Sequence, residues 1–320
     1  MPSDQGAAGD SPPKEVAGFG DLLASRVAER ASQIVLGLDP DPARLWPRAV
    51  EFADRTSDPP AARAAFAVAA HCALAIEAVA DQCVAIKPQV ACFERLGAPG
   101  WAALADVVRR AQDAGLIVLA DGKRGDIDVS AAAYAQAYFG HTPTHFGPVA
   151  SLDVDAITVN PLLGADSLAP FVAAARQAGG GLFVLVRTSN PGAADVQDRE
   201  LGEGGTVSDR LAALVSELGA GGIGSSGLAD IGAVVGATVP GRLATLRQRM
   251  PAAPFLLPGV GAQGGRVEEL APAFAPGRAG GLVSASRGIV RAHEQSGGDP
   301  ASAARAEAVR LRELAWDLSA

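Results

Sequence analysis

The sequence predicts a closed (β/α)8 barrel, the TIM-barrel form of the α/β class, and three observations carry that prediction. Eight short apolar runs alternate with alanine-rich helical stretches along most of the chain, the pattern of a parallel sheet with crossover helices. A count of eight suits one closed barrel, with an open doubly wound sheet as the alternative. Polar and charged residues gather where the runs end, which is where such a barrel places its chemistry.

The expected strands are 34–39, 84–87, 117–121, 156–160, 182–186, 231–235, 255–257 and 281–284. They are short and mostly β-branched or aliphatic, as strands buried on both faces are. The expected helices are 64–80, 100–114, 130–139, 167–178, 207–218, 242–250, 267–274 and 300–318. Thr206 with Asp209 resembles a capping box with Asp in place of Glu, and Asp299-Pro300 sets a capping acid before a first-turn proline. The last helix carries Ala304, Ala308, Leu311, Ala315 and Leu318 on one face, so it docks on the body. Residues 1–17 read as a disordered polar tail, leaving 18–320 as one catalytic barrel. The glycine- and serine-rich stretch 219–227 reads as a flexible surface loop.

Hydrophobic residues make up 48% of the 320, enough for a large core, and the 19% of charged residues is too low for a disordered chain. A formal net charge of −8 argues against non-specific binding to nucleic acid or an anionic membrane. It leaves room for a small anion held by a few local cations. Cys72, Cys83 and Cys92 show neither pairing nor metal spacing, which suits a reducing cytosol and small buried apolar roles. The apolar stretch 61–80 is broken by Arg63, His71 and Glu77 and reads as a buried helix rather than a membrane span. The amino terminus lacks the basic start and apolar core of a signal peptide. His141 and His145 form a loose pair, but Pro143 between them interrupts any helical face, so no metal is expected there.

The most informative segment is Asp121-Gly-Lys123-Arg-Gly-Asp126, at the end of the apolar run 116–120. A strand sends i and i+2 to one side, so Asp121 and Lys123 project together, with Asp126 in the turn beyond. A carboxylate beside an ammonium keeps the acid charged until it delivers its proton. The chain holds only three lysines, Lys14, Lys87 and Lys123, among 27 Lys plus Arg. A lysine kept at a strand end is therefore one selected for acid chemistry that arginine cannot perform. Lys87 also closes an apolar run, whereas Lys14 lies in the tail.

The glycines of Pro258-Gly259-Val-Gly261-Ala-Gln263-Gly264-Gly265 would let backbone N–H groups approach an anion, with a following helix terminus adding its dipole. Arg287, after the eighth run, is a second anchor, and loops seven and eight of a barrel often form a phosphate site. Gln263 and Arg287 are the expected phosphate contacts.

These residues resemble the orotidine 5′-monophosphate decarboxylase family. Asp121-Gly-Lys123-Arg-Gly-Asp126-Ile127 is similar to its Asp-x-Lys-x-x-Asp signature. Gly37-Leu-Asp39-Pro40, Ala85-Ile-Lys87-Pro-Gln89, the 258–265 glycine segment and Ser286-Arg287-Gly-Ile289 match its other motifs in order. Lys87-Pro-Gln with Phe93-Glu94, together with Lys123-Arg-Gly-Asp126, looks like the longer bacterial branch, and the likeness spans about 19–318. It implies conversion of orotidine monophosphate to UMP and CO2, the last step of de novo pyrimidine synthesis, by a homodimer without metal or organic cofactor. By position it implies that Asp39 holds ribose hydroxyls, Lys87 binds ribose and supports the charge array, and Asp121 faces the substrate carboxylate. Lys123 becomes the proton donor to C6, Ser189 a pyrimidine contact, and Gln263 and Arg287 the phosphate grip. Asp126 and Ser130 would reach the neighbouring subunit's site. Gly122, often larger in the family, and the long glycine-rich 190–229 depart from the pattern.

Three other functions compete. A metal-assisted sugar-phosphate decarboxylase or aldolase of the same superfamily would need an acidic residue where Lys87 stands. A Schiff-base aldolase would use Lys123 covalently. A phosphate-binding barrel without catalysis would have no use for the complete set Asp121, Lys123 and Asp126.

Overall fold

The computed structural model describes residues 18–55 and 57–320. The tail expected at 1–17, Lys14 included, lies outside the described residues. Eight parallel strands form the barrel: β1 Ile34–Leu38, β2 Ala85–Pro88, β3 Ile117–Arg124, β4 Ala156–Val159, β5 Gly181–Arg187, β6 Ile231–Val235, β7 Phe255–Pro258 and β8 Gly281–Ala285. They neighbour one another in chain order, and β1 closes the ring on β8 through Ile34 opposite Val283. The closed alternative is therefore the correct one. β3 runs three residues further than expected, and every other strand begins and ends within one residue of the predicted limits.

Alternation sorts the strand side chains into two cores. Val35, Ile117, Leu119, Phe183, Val234, Leu256 and Leu282 fill the barrel interior, and the complementary set packs under the outer helices. The interior is closed by the helix Phe19–Arg30, which the strand–helix alternation did not reveal. Its Phe19, Leu23 and Val27 recur every four residues and are fully buried. Phe19 meets Phe183 edge to face at 6.0 Å. Gly181 at the start of β5 leaves room for that ring, since a Cβ there would lie 2.4 Å from Phe19. Truncating Phe19 to alanine would cost about 3–5 kcal/mol.

The helix Pro60–Val79 could cross a membrane by length and composition alone, but half of its most apolar window is buried in the protein. Thr206 and Asp209 form the expected capping box, and the Asp299 side chain accepts from Ser302 N–H at 2.8 Å. Ala304, Ala308, Leu311 and Ala315 are buried, so the helix Pro300–Leu318 docks as expected.

Two local expectations fail. The helix expected at 267–274 is instead a pair of single 3-10 turns, Val267–Glu269 and Ala271–Phe274; Pro272 has no N–H with which to continue the first. The stretch 219–227 is tied down, because Ser225 and Ser226 donate backbone N–H groups to Asp21 at 3.0 and 2.7 Å. Hydrogen bonds from those serines, the Ser226 side chain foremost, hold the Asp21 carboxyl at about 2.

Candidate active site

Ile117 and Leu119 point into the barrel, so the period of two continues their side to Asp121 and Lys123. Asp121 is buried and Lys123 stands in the opening, their side chains 7% and 45% exposed. The β3–β4 ladder shifts at this point. Ala120 pairs with Ile157 and Arg124 with Val159, so Asp121, Gly122 and Lys123 stand opposite Thr158 alone. The bulge bends the strand end, and Lys123 takes the left-handed φ of 46°. Beyond it, Asn160 N–H donates to the Arg124 carbonyl at 2.7 Å. Gly125 packs so closely that a Cβ would lie 2.7 Å from the Asn160 carbonyl oxygen.

The Asp121 carboxylate accepts from four side chains. Oδ2 takes Lys87 Nζ at 2.6 Å and Gln89 Nε2 at 3.1 Å, while Oδ1 takes Lys123 Nζ at 2.6 Å and Thr158 Oγ1 at 2.9 Å. Burial alone would raise the Asp121 pKa, but the charges and hydrogen bonds of Lys87 and Lys123 outweigh it and hold the carboxyl well below its ordinary range. Burial likewise works against the Lys87 charge, and the carboxylates of Asp121 and Asp39 overcome it, so Lys87 lies above its ordinary value. The result is a buried carboxylate between two ammonium groups, of which Lys87 is buried and Lys123 half exposed.

That opening is a cavity of about 770 Å³. Asp39, Lys87, Asp121, Lys123, Ser189, Gln263 and Arg287 all line it, so seven of the nine sequence-predicted residues come together. Gln263 and Arg287 are exposed, and neither side chain has a hydrogen bond or ion pair among the described residues. The glycine loop differs from expectation. The N–H groups of Gly261, Gly264 and Gly265 are bonded within the loop at 2.9, 2.8 and 3.0 Å, and the segment that follows is a 3-10 turn with little dipole. In this conformation those three N–H groups are therefore not free to meet an anion.

Asp126 and Ser130 are the two that do not line the cavity. Asp126 Oδ1 accepts from Ile127 N–H at 2.8 Å, and Ser130 is exposed on the helix Asp128–Tyr138, beside the exposed Ile127 and Val129. Among the described residues no three His, Cys, Asp or Glu side chains gather as a metal site, and His141 lies in a small hairpin strand.

Sequence reasoning missed Gln89 and Thr158. Thr158 carried a signal, being the one polar residue in the run Ala156–Val159. It also left open what 190–229 does. Val196, Gln197, Val207 and Leu211 from that segment line the cavity. Arg187 anchors it by donating from Nε and Nη2 to the Asp198 carboxylate, at 2.8 and 2.9 Å.

The fold and site define a class: a (β/α)8 enzyme with an aspartate-bound lysine poised at the mouth and free cationic and amide groups on the loops after β7 and β8. Comparison with known proteins narrows the class. The sequence profile of the Orotidine 5′-phosphate decarboxylase / HUMPS family matches residues 32–306. The chain is 43% identical over 298 residues to the orotidine 5′-phosphate decarboxylase of Deinococcus radiodurans, covering 92% of this chain and 96% of that protein. It is 41% identical over 277 residues to that of Rhodopirellula baltica, covering 87% and 89%. The structure of Leishmania donovani OMP decarboxylase superposes with a TM-score of 0.70 at 33% identity, covering 93% of this chain and 98% of that one. The chain belongs to the orotidine 5′-phosphate decarboxylase family, whose reaction serves pyrimidine biosynthesis.

Proposed function

We propose that the protein converts orotidine 5′-monophosphate to UMP and CO2 with the Lys123 ammonium as proton donor to C6, and without metal or organic cofactor. Breaking the C6–carboxylate bond leaves its electron pair on C6. Lys123 stabilises that charge where it develops and then supplies the proton. The observation that carries this reading is the Lys87–Asp121–Lys123 array, in which the buried ion pair holds one ammonium at the cavity mouth. Asp121 faces the departing carboxylate, Asp39 and Lys87 hold the ribose, Ser189 meets the pyrimidine, and Gln263 and Arg287 grip the phosphate. Binding energy from that remote phosphate orients the ring over Lys123.

The metal-assisted branch of the family is disfavoured because Lys87 fills the β2 position where a carboxylate would be needed, and its ammonium is paired to Asp121. An absorbance assay of orotidine monophosphate loss tests the reading directly. Activity should survive exhaustive dialysis against EDTA, whereas restoration of a dead apo-enzyme by Mg²⁺ would move the protein to that branch.

We further propose a homodimer in which Asp126 and Ser130 serve the neighbouring site, in keeping with their place outside the cavity of their own chain. Lys123→Ala and Asp126→Ala homodimers should each be nearly inactive, while a random mixture of the two recovers about a quarter of wild-type activity, since about half the dimers carry one intact site. A doubly tagged mixed dimer as inactive as its parents would place Asp126 in its own chain's site.

A further inference from the structure

We propose that Thr158 is a positioning residue for this reaction: its buried hydroxyl locks the Asp121 carboxylate and the Lys123 main chain to each other, and so sets where the Lys123 ammonium stands. The proposal rests on the decarboxylase reading above and concerns a buried residue on β4 that lines the cavity beside the array.

The sheet itself does not need this hydroxyl. Thr158 is 1% exposed, between Ile157 and Val159, where valine would fill the same volume with equal strand preference. A buried hydroxyl needs hydrogen-bond partners, and both partners here belong to the array. Thr158 Oγ1 accepts from Lys123 N–H at 2.9 Å and donates to Asp121 Oδ1 at 2.9 Å. The bulge explains why a side chain is required. Three residues of β3 stand opposite one of β4, so the Lys123 N–H finds a hydroxyl where a regular ladder would offer a carbonyl. The same Oδ1 takes Lys123 Nζ at 2.6 Å, so Lys123 is held at its main chain by Thr158 and at its tip by the carboxylate that Thr158 orients. Its φ of 46° is one that a residue with a side chain keeps only when its surroundings impose it. Losing the hydroxyl would free both the carboxylate rotation and the lysine backbone, and a small misplacement of a reacting group is costly.

Thr158→Val and Thr158→Ser test this against wild type by steady-state turnover of orotidine monophosphate, UMP affinity and the pH dependence of kcat. The expected result is a kcat lowered about tenfold or more in Thr158→Val with UMP affinity within about twofold, and near-complete recovery in Thr158→Ser, because the loss is one hydrogen bond to a charged group. The acid limb of kcat should move to higher pH in the valine variant only, since the carboxylate loses a donor that favours its charged form. Valine turnover within about twofold of wild type would overturn the proposal. So would a serine variant as damaged as the valine one, or equal losses of kcat and UMP affinity with an unmoved acid limb. If Thr158→Val does not fold, Thr158→Ala is compared with Thr158→Ser by the same criteria. Failure of every variant to fold would make the hydroxyl a stability requirement and likewise overturn it. An inactive wild type in the same assay would instead bring down the decarboxylase reading.

Discussion

Asp121 on β3 and Arg287 beyond β8 line one cavity, yet Asp121 accepts four side-chain hydrogen bonds while the Arg287 guanidinium makes none among the described residues. The first region is buried and mutually satisfied; the second is exposed and leaves its donors for a ligand. On the proposed function, the difference follows from what each would do. Charges that act on a developing carbanion work best when fixed beforehand in a water-poor pocket. A charge that captures a phosphate must be open to solvent until the phosphate arrives, and can then contribute through a charge-assisted contact.

The sharpest way to break this comparison is Lys123→Ala. Turnover should fall by about a thousandfold or more, within the range attributed to a positioned acid, while UMP binding stays measurable because the phosphate end is untouched. A loss of only about tenfold, 1.4 kcal/mol of barrier, would name another donor.

Asp121→Asn comes next, read as stability. It leaves the buried Lys87 ammonium unpaired and should cost about 3–5 kcal/mol at neutral pH in denaturant titration. The folded Asp121 pKa lies below its unfolded 3.8, so its contribution is present above that pH and fades as pH falls further. The folded Lys87 pKa lies above 10.5, so its contribution is full below that value and is lost as pH rises through the folded pKa. The gap between wild type and Asp121→Asn should thus hold across the neutral range and narrow below pH 3.8.

Arg287→Ala should lower kcat/KM for orotidine monophosphate by about ten- to a hundredfold, the worth of one charged contact, and weaken UMP binding in step. Orotidine, which lacks the phosphate, should be spared. Equal damage to both substrates would remove Arg287 from the phosphate end.

The smallest effect concerns thiols. Burial pushes the Cys83 thiol up to about 12, raises Cys72 also, and raises the half-buried Cys92. Iodoacetamide at neutral pH should react slowly and with Cys92 first, and mass mapping would show it. Cys92 adjoins the prebuilt Lys87 end, so UMP should change its rate by less than about twofold. Strong protection would mean that this end also rearranges on binding.

The strands and their polar ends were legible because a period of two and abrupt charge at the end of apolar runs are local signals. That is why Asp39, Lys87, Asp121 and Lys123 could be placed on one rim from the sequence. Thr158 was not: it is the one polar residue of its run, but a threonine also favours a strand, and the bulge it completes exists only when β3 meets β4. The 267–274 turns were not legible because strand–helix alternation calls for a helix there, and it is Pro272 within the stretch that breaks it. The tie between Asp21 and Ser225–Ser226 spans about two hundred residues, beyond any periodicity argument. The helix Phe19–Arg30 escaped because it precedes the first strand and so belongs to no strand–helix unit.

The central claim, that the β3 end is assembled before any ligand binds, is tested most directly by carbon-13 NMR titration of the aspartate carboxyls in the free enzyme, with Asp121→Asn to assign the resonance, repeated with UMP. Asp121 should stay ionised through the acid range to below its unfolded value of 3.8, and UMP should leave it so. A carboxyl that titrates at or above that value in the free enzyme, and becomes ionised there only when UMP is bound, would contradict the account.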